Sequence, residues 1–111
     1  MEVYLKGITE KSLLEWLNSV FESIDGPFDG GAATVYHIKW NGSVIPVILT
    51  PNIESQDFTS LWFNSENLPW CDTKEIAHQL SEVFETKVRY ELSGEFIEYY
   101  QGQSRITEEW S

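Results

Sequence analysis

Residues 34–49 read TVYHIKWNGSVIPVIL, and this stretch decides the fold. Two β-rich runs, Thr34 to Trp40 and Ser43 to Leu49, flank the dipeptide Asn41-Gly42. Both central residues of a type I′ hairpin turn need positive φ, which Asn and Gly tolerate best. A two-residue loop then fixes the register: Trp40 opposite Ser43, Ile38 opposite Ile45, Tyr36 opposite Val47. These residues share the sheet face expected to be buried. His37 opposite Pro46 and Val35 opposite Ile48 fall on the other face. Pro46 lacks an N–H, so its strand is expected at a sheet edge or at a bulge.

Upstream, Val3 to Ile8 alternates as a short strand, and Thr9 is placed to cap a helix, with Ser12 and Glu15 offering a second capping choice. Leu13, Leu14, Leu17, Val20, Phe21 and Ile24 recur at helical spacing in a stripe roughly 120° wide, with Trp16 at its edge. Asp25 to Gly31 is loop by composition. Downstream, Pro51 to Asp57 reads as loop, Phe58 to Phe63 as strand and Asn64 to Trp70 as an irregular connection. Asp72 caps a second helix, with Glu75 completing a capping box. Ile76, Ala77, Leu80, Val83 and Phe84 form its apolar face, and His78 points to solvent. Ser93-Gly94 and Gln101-Gly102 make two tight turns between three strands. That register stacks Tyr90, Ile97 and Ile106 on one face, and Arg89, Glu98 and Arg105 on the other.

The expectation is α+β. A mainly antiparallel sheet of six to seven strands carries two helices packed on one face, in the order β-α-β-β-β-α-β-β-β. One domain covers residues 1–111. Leu17 to Ser23 matches Leu80 to Thr86 in pattern, which raises a degenerate βαββ repeat over about 1–50 and 58–111.

Charge limits the function. The chain holds 18 acids against 7 bases, a formal net of -11 on 111 residues. Nucleic acid and anionic membrane both demand a positive surface, so neither is expected as a partner. A basic protein is. Cys71 is the single cysteine and has no internal partner. Residues 1–7 have neither the basic stretch nor the apolar run of a secretory signal. A cytoplasmic location is therefore expected.

No arrangement of residues reads as catalytic, and no cofactor or metal is expected. Cys71 stands near a helix start, where a thiolate gains stability, but Asp72 beside it opposes ionisation. His37 and His78 belong to different elements and lack metal-ligand spacing. Asp25 and Asp29 flank a Gly/Pro loop without the ligand alternation of a calcium loop. No glycine-flanked serine marks a nucleophile elbow.

The informative constellation is aromatic plus acidic. Between Pro51 and Thr86 stand seven acids and one lysine, and from Tyr90 to Ser111 five acids and one arginine. Aromatics anchor interfaces, and carboxylates steer cationic partners. The candidate partner-binding residues are Trp62, Trp70, Asp72, Glu75, Glu82, Glu85, Tyr100 and Trp110. Trp70, beside Pro69 in a loop, and Trp110, near the end of the sequence, are expected to be partly exposed.

In size, acidity and element order the chain resembles small bacterial toxin-immunity and inhibitor proteins. Asn67-Leu68-Pro69-Trp70-Cys71-Asp72, followed by an amphipathic helix, also resembles stretches of small uncharacterised bacterial proteins. The immunity resemblance implies a module that covers the positive surface of a basic toxin. The same electrostatics would suit an inhibitor of a nucleic-acid-binding protein, with carboxylates standing in for phosphates. The resemblance transfers no individual residue. The alternatives are a homodimeric assembly subunit and a small-molecule-binding domain.

Overall fold

The computed structural model describes residues 1–54 and 56–107. The candidate Trp110 lies outside the described residues. The elements are β1 (Glu2–Lys6), α1 (Glu10–Val20), β2 (Ser23–Gly30), β3 (Ala33–Trp40), β4 (Ser43–Ile53), β5 (Phe58–Phe63), α2 (Thr73–Phe84), β6 (Val88–Leu92), β7 (Glu95–Tyr100) and β8 (Gln103–Thr107). The class is α+β, and the strands form one sheet of eight, ordered β2-β3-β4-β5-β1-β6-β7-β8. Every pairing is antiparallel.

The expected six to seven strands become eight because β2 replaces the loop read at residues 25–31. The helical stripe breaks before Ile24. Phe21 keeps the last helical hydrogen bond, to the Leu17 carbonyl, and then turns extended. Ile24 pairs with Ile38 in the sheet instead. Gly26 and Pro27 do not end the strand. They form a bulge on an edge strand, where a missing N–H has no ladder bond to lose.

Pro46 corrects a second expectation, since β4 is interior and unbulged at that position. β5 ends at Phe63, opposite Val47. Asn64, just beyond, donates its N–H to the Pro46 carbonyl at 3.0 Å. The proline therefore sits where the neighbouring ladder has stopped. β4 also runs on to Ile53, through residues read as loop.

All three two-residue turns adopt the expected geometry, with positive φ at both positions. Asn41 and Gly42 have φ of 48° and 81°, and the whole hairpin register holds. The β6–β8 meander likewise pairs Tyr90 with Ile97 and Ile97 with Ile106.

Alternation sends Val3, Leu5, Tyr36, Ile38, Ile45, Val47, Leu49, Leu61, Phe63, Val88 and Tyr90 to one buried face. Leu13, Trp16 and Leu17 of α1 and Ile76, Ala77 and Leu80 of α2 join them in a single core. Each such side chain contributes about 2 kcal/mol by leaving water. Both helices therefore lie on the same side of the sheet. Val83, expected in the core, is exposed near the end of α2, and Ile106 is exposed on edge strand β8.

Gly26 cannot carry a side chain. Its φ is +131°, and a Cβ would stand 2.8 Å from Tyr36 Cδ1 and 3.0 Å from the Val35 carbonyl oxygen. Gly26→Ala is expected to lower unfolding stability by about 2 kcal/mol in urea titrations, with an unchanged denaturant slope.

Candidate functional site

The candidate residues divide between three environments. Trp70 is not exposed; it is core, at 5% exposure. Its ring stacks on Trp16 at 5.7 Å and meets Phe21 and Phe63 at 5.9 and 5.4 Å. Its indole N–H donates to Gln79 Oε1 at 2.6 Å. A loop position in the sequence did not mean a surface position, because the loop folds its tryptophan between the two helices and β5.

Asp72 and Glu75 belong to the start of α2. Asp72 Oδ1 accepts the Glu75 N–H at 2.9 Å, and Glu75 Oε2 accepts the Cys71 N–H at 3.0 Å. The capping box is therefore shifted by one residue, to Cys71. The hydrogen bond that the exposed Cys71 thiol donates to Glu75, and the Glu75 charge, push the thiol up, with a smaller contribution from Asp72. That environment disfavours a thiolate.

Glu82, Glu85 and Tyr100 come together. With Ser81 and Gln101 they line a cavity of about 460 Å³ where the last turn of α2 meets the β7–β8 turn. Glu82 Oε1 accepts the Tyr99 hydroxyl at 3.1 Å, and Ser81 bonds the Thr86 and Tyr99 carbonyls. His78 does not point to solvent; it lies flat on Tyr99 with ring centroids 3.7 Å apart. Burial, helped by the Lys74 charge, holds its pKa below the ordinary value.

Both carboxylates of this cavity are badly placed for the helix. The C-terminal end of a helix carries a partial negative charge, and α2 has no basic residue in its last turn. Glu85 is also the C-cap, held in the left-handed region at φ 51°, where glycine or asparagine is normal.

Charge is unevenly distributed between the two sides. The helices, their caps and adjoining loops carry Glu10, Glu15, Glu22, Glu66, Asp72, Glu75, Glu82 and Glu85 against Lys11, Lys74 and Lys87, eight acids to three bases. The uncovered sheet face carries Glu2, Asp25, Glu91 and Glu98 against Lys6, Lys39, Arg89 and Arg105, four of each by strand register.

Trp62 lies on that uncovered face, at 42% exposure, away from the acidic side. It continues a cross-strand row of Phe28, Val35 and Ile48 through β2 to β5. Phe28 and Val44, on the same face, are 46% and 66% exposed. The sequence carried the signal for this patch. The run Val44 to Leu49 is apolar at both alternating parities, the mark of a strand with two apolar faces.

At the other end of the open face the expected carboxylate sandwich is present. Glu98, only 3% exposed, meets Arg89 Nε at 2.8 Å and Arg105 Nη2 at 2.7 Å. The Arg89 guanidinium also covers the Phe58 ring at 4.4 Å. Burial pushes the Glu98 carboxyl up, but the hydrogen bonds and charges of Arg105 and Arg89 outweigh it. The net pKa falls below the ordinary value.

Among the described residues, no group of three or more His, Cys, Asp or Glu is placed to hold a metal. Asp29 instead accepts the Gly31 N–H at 2.9 Å, and Asp25 pairs with His37 across β2 and β3. Among the described residues no helix is long and apolar enough to cross a membrane. No protein-family model, curated protein or solved structure matches the chain.

A carboxylate with a depressed folded pKa stabilises fully above its unfolded value near ~4.3, and that stability is lost as pH falls through the folded value. Glu98→Gln is expected to destabilise by about 2 kcal/mol at pH 7. It should also flatten the loss of stability between roughly pH 5 and pH 3. Urea titrations across that range read both effects. An equally steep loss in the variant would assign it to other carboxylates.

Proposed function

We propose that this chain is a binding module that captures a basic protein partner through the acidic surface around α2. It would act as an immunity or inhibitor protein acts on its target. The observation carrying this reading is the placement of Glu82 and Glu85. Two carboxylates at the negative end of a helix, one of them on a left-handed C-cap, cost about 1–2 kcal/mol together. Proteins keep locally unfavourable groups where binding needs them.

The cavity suits a lysine or arginine side chain. Glu82 and Glu85 supply charge-assisted acceptors, and Ser81, Tyr100 and Gln101 complete the lining. Asp72 and Glu75 extend the negative surface to the far end of the same helix. Their long-range field accelerates encounter, and desolvated contacts in the cavity slow release.

Replacing Glu85 separates stability from binding. Glu85→Gly is expected to raise unfolding stability by about 1 kcal/mol, because glycine accepts the left-handed cap. The same change should weaken binding to a basic partner, captured from cell extract and purified, about tenfold, equivalent to ~1.4 kcal/mol. Association with that partner should slow steeply from low to physiological salt. Captured partners that are acidic, or a Glu85→Gly variant that binds as tightly as the parent, would refute the reading.

A further inference from the structure

We propose that the apolar half of the open sheet face, across β2 to β5, is a self-association surface that seats a second copy of this chain. The proposal stands independently of the basic-partner reading, which uses the opposite side of the molecule.

The first support is the patch itself. Phe28, Val35, Ile48 and Trp62 form one cross-strand row on four adjacent strands, with Val44 and Pro46 beside it. An antiparallel sheet with a solvated face normally shows polar residues there. Contiguous exposed apolar rows mark association surfaces.

The second support selects the occupant. A basic partner is drawn to the helix side and gains no electrostatic advantage on a face whose strand charges balance. A second copy meets the reverse situation. At a net of -11 each, two chains repel in every orientation that brings their acidic sides together. Face-to-face packing places two balanced sheets between the charged layers. With sheets ~10 Å apart and helices ~10 Å behind each, the helical layers stand ~30 Å from one another. That is close to four Debye lengths of ~8 Å at physiological salt.

Four strands spaced ~4.8 Å apart, over three outward residues each, give a face on the order of 400 Å². Two copies would bury ~800 Å², below the standard interface, so a weak dimer is expected, with Kd of about 10–100 μM.

Sedimentation equilibrium tests this directly. The parent chain should dimerise at roughly 100 μM and dimerise more tightly as salt rises, because screening removes the residual repulsion. Trp62→Lys should abolish the dimer even though it reduces the net negative charge. Val44→Lys, exposed near the hairpin turn, provides the same disruption should the first variant fail to fold. Val83→Lys, at an exposed apolar position on α2, should leave the dimer intact. A monomer at all concentrations to ~500 μM overturns the proposal. So does a dimer that survives both patch substitutions, or one that Val83→Lys abolishes.

Discussion

Two helices and an eight-stranded sheet can bury only one sheet face between them. The single core holds Leu13, Trp16 and Leu17 of α1 and Ile76, Ala77 and Leu80 of α2 against the inward residues of the strands. The packing of Trp70 on Trp16, Phe21 and Phe63 ties the connection before α2 to both helices and to β5. Everything else on the surface follows from that one-sided closure. The helices must present their polar stripes outward, and those stripes are acidic. The opposite sheet face stays open, and its strands carry as many bases as acids.

The net charge is therefore not a uniform coat. A protein that needed charge only for solubility would gain most from spreading it. Here the sheet face balances Arg89 and Arg105 against Glu91 and Glu98, and Lys6 and Lys39 against Glu2 and Asp25, while the helical side accumulates carboxylates. At the C-terminal end of α2 the accumulation works against helix stability, since neither the dipole nor the left-handed cap favours Glu82 or Glu85. The two sides thus suit different partners: a cation on one, an uncharged apolar surface on the other.

Much of this was legible in the residues. Asn41-Gly42, Ser93-Gly94 and Gln101-Gly102 each adopt positive φ at both positions, and two-residue turns fix register without tertiary information. The Arg89–Glu98–Arg105 row followed from that register alone. β2 was not legible. Gly26-Pro27 is a breaker in isolation, and only its position on a sheet edge makes a bulge of it. Ile24 continued the helical spacing, but a helix stops where tertiary packing stops it, and Phe21 turned extended first.

The candidate site was legible in composition and not in geometry. Glu82, Glu85 and Tyr100 converge because α2 ends against the β7–β8 turn, a juxtaposition of residues 15 apart or more that no local pattern encodes. Trp70 went astray because a loop residue beside proline carries no information about the aromatic pocket awaiting it. The apolar parity of Val44, Pro46 and Ile48 was visible. That no second layer covers it was not, because that depends on where both helices pack.

The central claim is that negative potential belongs to the helical side and vanishes over the open face. Paramagnetic cosolutes of opposite charge, compared amide by amide in NMR relaxation, read the near-surface potential at each residue. The cationic probe should be enriched over α1, α2 and the Glu82–Glu85–Tyr100 cavity, with near-equal effects of both probes over Val35, Ile48 and Trp62. A potential equally negative on both sides of the sheet would contradict the claim.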